Sequence, residues 1–172
     1  MINKKLLQLI MEVGQPKENN MYICVHFNIK ELVSQAVYNF YKPKYGEKFI
    51  WKFFDTQVLK DLDYIRDKWG REIIINNWSK GGSLHQCGLR SNIDPLVKSK
   101  STPYLSGHSL AKGFDLHDCR GQNSKLYDLV CNLIKKKELK AFKRVENIKF
   151  TNGWVHVDAL STVNDQLEIF NI

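Results

Sequence analysis

Two short stretches rich in histidine and aspartate constrain this chain more than any other part of it. The first, residues 106–118, reads Ser-Gly-His-Ser-Leu-Ala-Lys-Gly-Phe-Asp-Leu-His-Asp and includes His108 and Asp115. The second, residues 153–158, reads Gly-Trp-Val-His-Val-Asp and contributes His156. Two imidazoles and a carboxylate suit a catalytic zinc ion, which uses three protein ligands and keeps a fourth position open. We therefore expect the fold to bring the two stretches together.

Alternating side chains predict that both stretches contain β-strands. Residues 113–117 alternate apolar and polar side chains, so Asp115 faces away from the apolar face. Residues 154–160 alternate in the same way and present His156 on the surface of a sheet. The small residues between the first two ligands predict a turn that folds His108 back over the strand of Asp115. A zinc ion would then bridge two neighbouring strands.

The pattern Ser-x-His-x(6)-Asp followed by Trp-x-His resembles the zinc peptidases of the D-alanyl-D-alanine carboxypeptidase family. That group includes phage L-alanyl-D-glutamate endolysins, and Hedgehog signalling domains share its fold. The resemblance runs from residue 28 to residue 158, but only the two ligand stretches are specific. It implies zinc held by His108, Asp115 and His156, a Hedgehog/D-Ala-D-Ala peptidase-like fold, and hydrolysis of peptide bonds in the bacterial cell wall.

The resemblance also implies residues that bind substrate. In the family, the loop before the first ligand carries an arginine that binds the carboxylate or carbonyl of the peptide, and Arg90 matches it here. A planar, permanently charged guanidinium suits a carboxylate, whereas the alternative is a plain surface arginine. His85 in the same loop is a weaker candidate for contact with substrate. Trp154 is expected to line the cleft or to pack in the core, and His117 is a candidate positioning group beside the metal.

The chain departs from the family at the general base. Many members carry Glu or Asp three or six residues before the last histidine ligand, where this chain has Gly153 and Phe150. The nearest carboxylates in sequence are Glu146 and Asp158. We prefer Glu146, because a hairpin would place it opposite His156, whereas the side chain of Asp158 would lie about 7 Å along the strand. If neither acts as a base, the protein would bind cell-wall peptide without cleaving it.

Hydrophobic periodicity and turn signals predict an α+β domain with a central, mostly antiparallel sheet and flanking helices. An Asn-Gly pair within residues 151–153 predicts a turn between two of the strands. The predicted helices span residues 29–40, 55–69 and 126–139. The predicted strands span residues 72–77, 113–117, 142–148, 154–160 and 166–172. Residues 22–27 are predicted to form either a short strand or an extended lead-in.

Length and composition predict one domain in a reducing compartment. The 172 residues divide into a predicted N-terminal extension, residues 1–20, and a single zinc peptidase domain, residues 21–172. The first apolar run is too short for a signal peptide, and no stretch is long enough to span a membrane. The four cysteines form no Cys-x-x-Cys pair, so we expect free thiols. We expect the protein to stay in the bacterial cytoplasm until it is released to the cell wall.

The basic charge narrows the choice of partners. A formal net charge of +8 favours nucleic acid, an anionic membrane or an anionic cell wall. The lysines are dispersed and no nucleic-acid-binding motif is recognisable, so nucleic acid is disfavoured. Together with the resemblance, this predicts a monomeric, endolysin-like zinc peptidase acting on peptidoglycan stem peptides, without stable insertion into a membrane. A catalytically inactive, zinc-containing wall-binding module is the main alternative, and a basic nucleic-acid-binding protein is less favoured. The sequence leaves open which stem-peptide bond is cut.

Overall fold

A five-stranded sheet forms the centre of the computed structural model, which describes residues 21–151 and 153–171. The predicted N-terminal extension, residues 1–20, lies outside the described residues. Helices flank the sheet, so the predicted α+β class is confirmed. In chain order the strands are β1 Ile73–Ile74, β2 Gly113–Asp118, β3 Arg144–Glu146, β4 Val155–Asp158 and β5 Glu168–Phe170.

The sheet is mixed, which corrects the prediction of a mostly antiparallel sheet. Its strand order is β1-β2-β4-β3-β5. The pairs β1–β2, β2–β4 and β3–β4 are antiparallel, whereas β3 and β5 are parallel. The reason lies in the connectivity: the chain reverses after β4 and its last strand lies beside β3, which also runs opposite to β4. Alternation of side chains along a strand predicts its faces but carries no information about the direction of its neighbour.

The longest helix confirms its predicted start and end. It begins after Asp55, whose side chain accepts a hydrogen bond from the Gln57 amide, and it ends at Gly70 in the left-handed conformation with φ 72°. Among the described residues, no helix combines the length and the apolar character needed to cross a membrane. The helices are α1 Ile29–Leu32, α2 Gln35–Tyr45, α3 Glu47–Trp51, α4 Thr56–Trp69, α5 Pro95–Lys98 and α6 Asn123–Lys135, and Trp78–Lys80 forms a 3-10 turn.

The helix predicted at residues 29–40 is divided in two. Asn28 and Glu31 form a capping box at the start of α1. Val33 and Ser34 are then extended, and the Ser34 side chain accepts a hydrogen bond from an amide in the first turn of α2. Helix α2 continues beyond residue 40, where the predicted helix ends, and includes Pro43, because a proline so near the last turn removes few helical hydrogen bonds.

Residues 22–27, predicted as a short strand or an extended lead-in, form no strand. The amides of Val25 and His26 instead donate hydrogen bonds to the Asp63 carboxylate, at 2.7 and 3.1 Å. A side chain of α4 thus satisfies the backbone groups that a neighbouring strand would otherwise pair with. The predicted strands at residues 72–77 and 142–148 do form, but as the shorter β1 and β3.

One face of the sheet is the apolar core. Phe114 and Leu116 on β2 and Val155 and Val157 on β4 are fully buried, as their alternation predicts. Helix α6 packs on β2 and β4, and α4 packs on α6. Burial of each such side chain stabilises the fold by about 1.5–3 kcal/mol. The helical residues buried in this core are Val58, Leu59, Leu62, Ile65, Leu126, Val130, Leu133 and Ile134.

The opposite face of the sheet is polar and forms rows across the strands. Asp115 on β2 pairs with His156 on β4, and Arg144 on β3 pairs with Asp158 on β4. Continuing the β3–β4 register places Glu146 opposite His156. The ionisable side chains therefore converge on one face because all of them lie an even number of residues apart along their strands.

Candidate metal centre

Three buried side chains converge on the polar face of the sheet. Asp115 Oδ1 lies 2.8 Å from His156 Nδ1 and 3.3 Å from His108 Nε2. All three residues are less than 9% exposed. The two strand residues are brought together by the β2–β4 register, and His108 reaches them from the preceding loop. The set predicted from sequence is thus assembled in space.

A tight turn brings His108 over the strand of Asp115. Ala111 takes a left-handed conformation with φ 57°, and the Lys112 amide donates a hydrogen bond to the carbonyl of Gly107 at 2.8 Å. A Cβ atom at Gly113 would lie only 2.8 Å from the carbonyl carbon of Gly107. Only glycine therefore permits this close approach of the loop to β2. The small residues between His108 and Asp115 thus form the turn that the sequence predicts.

The loop of residues 87–90 is fixed between α1 and β2. The Asp115 amide donates a hydrogen bond to the Cys87 carbonyl at 2.8 Å. Gly88 has no room for a side chain, since a Cβ atom there would lie 2.1 Å from the Leu32 carbonyl oxygen. The Gly88 carbonyl accepts a hydrogen bond from His108 Nδ1 at 2.9 Å, because a carbonyl can only accept. This bond fixes the orientation of the ring and directs Nε2 of His108 toward Asp115.

The arrangement fits a metal ion. The candidate ligand atoms of His108, Asp115 and His156 all lie within 4.8 Å of one another. Ligand atoms about 2.0–2.1 Å from a tetrahedral zinc ion would lie about 3.3 Å apart, close to the distances found here. These three residues can therefore hold a metal ion. The geometry does not identify which metal that is.

The charges of the three residues are strongly coupled. Burial alone raises the pKa of Asp115, but hydrogen bonds from the two histidines outweigh burial and hold it well below its usual range. Burial lowers the pKa of His108, and its contact with Asp115 offsets only part of this. Burial also lowers the pKa of His156, but hydrogen bonds to Asp115 and Asp158 outweigh it and raise that pKa to about 9. A metal ion at this centre would replace the proton shared by Asp115 and His156.

Asp158 lies beside His156 on the outer side of the cluster. Its Oδ2 is 3.4 Å from His156 Nε2, much closer than the 7 Å spacing of the two strand positions suggests. The two side chains bend toward each other, and Asp158 Oδ1 accepts a hydrogen bond from the Leu160 amide at 3.0 Å. Asp158 therefore orients the imidazole through the nitrogen that faces away from Asp115.

Glu146 is a buried carboxylate on β3, on the same face as His156. Its side chain lines the same cleft as the three candidate ligands. Burial raises the pKa of Glu146, the positive charge of His156 lowers it in part, and the negative charge of Asp115 raises it. No hydrogen bond to its carboxylate is found among the described residues, so Glu146 is available to a molecule in the cleft.

Arg90 is held by the protein itself. Its Nη2 donates to Asp115 Oδ2 at 3.1 Å, its Nη1 donates to the Tyr104 hydroxyl at 2.9 Å, and its Nε donates to the Gln86 carbonyl. These contacts orient Asp115 so that its other oxygen faces the histidines. Arg90 lines the cleft, and its predicted role in binding a substrate carboxylate stays a prediction.

The cleft over the cluster has a volume of about 750 Å³. Trp154, predicted to line the cleft or to pack, lines it beside the exposed side chains of Phe150 and Leu105. His85 lines a separate cavity near the start of α2, so the structure does not bring it to the cluster. The His117 ring lies 6.2 Å from the Trp154 ring, and His117 is not one of the three candidate ligands.

Two further side chains of the cleft were missed by the sequence analysis. Arg144 lies within 3.1 Å of Glu168 Oε1 and stacks on Phe170, with its Cζ atom 4.2 Å from the ring centroid. The Phe170 ring also packs edge-on against His156 at 5.8 Å. Alternation along β3 places Arg144 on the same face as Glu146 and could have revealed it. The position of Phe170 depends on the parallel pairing of β5, which the sequence does not signal.

Comparisons with models of known protein families, with curated proteins and with solved structures find no match for this chain. The geometry of the cleft and the chemistry of the residues that line it therefore indicate the function.

Proposed function

We propose that the protein is a zinc peptidase that hydrolyses a stem-peptide bond of bacterial peptidoglycan. The observation that carries this proposal is the buried cluster of His108, Asp115 and His156 at the base of an open cleft, with the carboxylate of Glu146 beside it. The order of the ligands along the chain matches the resemblance to D-alanyl-D-alanine carboxypeptidases. We propose the Hedgehog/D-Ala-D-Ala peptidase fold on the same grounds.

Zinc is the metal that suits this donor set best. Two imidazole nitrogens and one carboxylate oxygen are typical of catalytic zinc sites, whereas magnesium and calcium prefer oxygen ligands alone. When bound, zinc acts as a Lewis acid toward a carbonyl oxygen and makes water acidic enough to attack near neutral pH. The positioning contacts of His108 with Gly88 and of His156 with Asp158 are of the kind that supports such a site.

Glu146 acts as the general base in this proposal. It accepts a proton from the attacking water and passes it to the amine that leaves when the peptide bond breaks. Its position opposite His156 puts the carboxylate in the same cleft as the ligands. Its raised pKa, caused mainly by burial, brings it closer to the working pH and so suits both halves of this proton transfer.

Two other residues orient the ligands. Arg90 fixes one oxygen of Asp115, and Asp158 fixes the imidazole of His156. Neither residue needs to exchange a proton with the substrate. In this respect the proposal departs from the family pattern, in which the arginine of this loop binds the peptide.

Basic residues on the cleft suit an acidic peptide. Arg144 and Lys100 line the cleft, and stem peptides carry free carboxylates. The net charge of +8 would concentrate the protein on an anionic cell wall. A monomer made in the bacterial cytoplasm and released to the wall, as in phage endolysins, belongs to the same proposal.

A wall-binding module without catalysis is the second candidate. The observation that favours it is the pair of residues at the family's acid positions, Gly153 and Phe150, which cannot move a proton. Both are exposed, so neither position is filled by a buried substitute. In that case the metal would stabilise the fold, and Glu146 would be an unused carboxylate of the cleft.

The deciding experiment is mass spectrometry of muropeptides after purified peptidoglycan is incubated with the zinc-loaded protein. We expect new fragments that differ by hydrolysis of one stem-peptide bond, and their masses identify that bond. His156→Ala serves as the matched protein without an intact cluster. Unchanged muropeptides despite full zinc occupancy would overturn the peptidase proposal, and retained binding to the wall would then support the binding module.

A further inference from the structure

A second cavity adjoins the cleft of the candidate metal centre. Its volume is about 600 Å³, within the usual range of about 300–1,000 Å³ for small-ligand pockets. Both cavities include Arg90 and Tyr104 among their lining residues, so the two are neighbours across these side chains. A long substrate bound over the cluster can therefore extend into the second cavity. Nothing in the proposed chemistry uses this space.

The lining of the second cavity combines aromatic rings with neutral polar groups. Tyr41 and Phe53 lie edge to face, with ring centroids 4.9 Å apart. Ser91, Asn92 and Thr102 add hydroxyl and amide groups that can both donate and accept hydrogen bonds. This combination suits a ligand that has apolar ring faces and a polar rim.

The charge of the cavity points to a neutral ligand. Among the described residues that line it, Arg90 is the only charged one. The guanidinium of Arg90 is directed to Gln86, Tyr104 and Asp115, so its hydrogen bonds are made within the protein. The chain as a whole carries a net charge of +8, yet the described lining of this cavity offers no basic side chain to a ligand except Arg90, which is already paired. This lining therefore does not suit an anionic ligand.

We propose that this cavity binds an N-acetylated sugar of the glycan strand, an inference that rests on the proposed action on peptidoglycan. The C–H faces of a sugar ring pack on aromatic rings, and its hydroxyl and acetamido groups pair with neutral polar side chains. The muramic acid unit is neutral once its lactyl carboxyl is joined to the stem peptide. Its chemistry therefore matches the cavity.

The position of the cavity has a consequence for bond specificity. A sugar next to the cluster places the part of the stem peptide closest to the glycan over Glu146 and the three ligands. The protein then cuts near the glycan end of the stem peptide rather than at its free carboxyl end. The exposed aromatic rings of Phe40 and Tyr45 both pack against the Tyr41 ring. They offer a contact surface for the next sugar along the glycan strand.

The first test measures binding of the neutral disaccharide N,N′-diacetylchitobiose by NMR titration, which requires no catalytic activity. Tyr41→Leu removes the aromatic face and Asn92→Ala removes the amide, and each should weaken binding about 2- to 10-fold. Tyr127→Leu, on α6 and outside both cavities, is the matched control and should bind as wild type does. Absence of binding by the wild type, or equal binding by all variants, overturns the proposal. Asn92 is exposed, so Asn92→Ala is expected to fold as wild type does, and it keeps the test decisive if Tyr41→Leu does not fold.

The second test compares kcat/KM for a muramoyl-linked stem peptide and for the same peptide without sugar. We expect the linked peptide to be the better substrate and its advantage to shrink in Asn92→Ala. Equal kcat/KM for both peptides overturns the sugar site while the peptidase proposal stands. If neither peptide is cleaved, the peptidase proposal fails and the titration alone decides what the cavity binds. Displacement of the disaccharide by the free peptide would assign the cavity to peptide instead.

Discussion

Arg90 donates a hydrogen bond to Asp115 Oδ2 at 3.1 Å, while Oδ1 of the same carboxylate faces both histidines of the cluster. The bond fixes the carboxylate with one oxygen turned toward the candidate metal position. Tyr104 and Gln86 hold the other nitrogens of the guanidinium. The geometry thus assigns to Arg90 a role that acts through Asp115.

We predict that Arg90→Leu lowers the affinity for zinc about 10- to 100-fold, the usual effect of losing a group that orients a metal ligand. Competition with a chelator of known affinity measures this. Lys100→Ala removes a cation from the same cleft without touching Asp115, and it should leave zinc affinity unchanged. An Arg90 variant with full zinc affinity and a raised KM would instead support direct binding of the substrate carboxylate.

The cluster itself should bind about one zinc ion per chain. We predict that His108→Ala, Asp115→Ala and His156→Ala each lose most of the bound zinc, because two remaining ligands hold a metal weakly. Elemental analysis after gel filtration gives the occupancy. His117→Ala is the matched control, since His117 lies outside the cluster of candidate ligand atoms. Full occupancy in all three ligand variants would exclude this ligand set.

The cluster of candidate metal ligands could be predicted from sequence because its residues lie in two local patterns. Alternation placed Asp115 and His156 on the polar face of their strands, and the small residues between His108 and Asp115 predicted the turn that returns His108. The preference for Glu146 depended on a hairpin register, and the β3–β4 pairing places it as expected. Each of these features is decided by residues close in the chain.

The parts that the sequence did not predict depend on contacts between distant residues. The bond from Arg90 to Asp115 joins a loop to a strand 25 positions later. The short distance between Asp158 and His156 depends on how two side chains bend, which strand spacing does not determine. Phe170 reaches the cleft through a parallel pairing with β3. Local patterns carry no signal for such pairings.

The close approach of Gly107 and Gly113 makes a stability prediction. A Cβ atom at Gly113 would meet backbone atoms of Gly107 and His108 at 2.8–3.0 Å, which the loop can relieve only by moving His108. We predict that Gly113→Ala lowers the free energy of unfolding by about 1–3 kcal/mol and reduces zinc occupancy. Urea unfolding and elemental analysis measure the two effects. Lys112→Ala, at an exposed neighbour, should change stability by less than about 0.5 kcal/mol.

Asp118 makes the stability depend on pH. Burial alone would raise the pKa of Asp118, but hydrogen bonds from Arg71, the Gln122 amide, Trp69 and the Arg120 amide lower it to about 2. The pKa of Asp118 is lower in the folded state than its value of about 3.9 in the unfolded chain. The ionised carboxylate therefore stabilises the fold, and its full contribution is present above about pH 3.9. It is lost as the pH falls through the folded pKa of about 2.

We therefore predict that Asp118→Asn is less stable than wild type at neutral pH and that this difference shrinks as the pH falls from about 4 to about 2. Urea unfolding across that range measures the difference. Asp165→Asn, at an exposed position, is the control and should follow the wild-type curve. A stability difference that stays constant with pH would show that Asp118 acts through packing alone.

Glu146 and Asp158 flank His156, and their contacts predict different consequences for catalysis. Asp158 is engaged with His156 and with the Leu160 amide, whereas Glu146 is buried with its carboxylate facing the cleft.

We predict that Glu146→Gln keeps the fold and the bound zinc but lowers kcat for peptidoglycan hydrolysis by about 100-fold or more, the usual scale of general acid–base assistance. Asp158→Asn should lower zinc affinity first and kcat less, since it acts through the imidazole. Rates measured at matched zinc content separate the two effects. If Glu146→Gln stays active while Asp158→Asn is inactive with zinc bound, Asp158 is the base, and if both stay active, His117 is the next residue to replace.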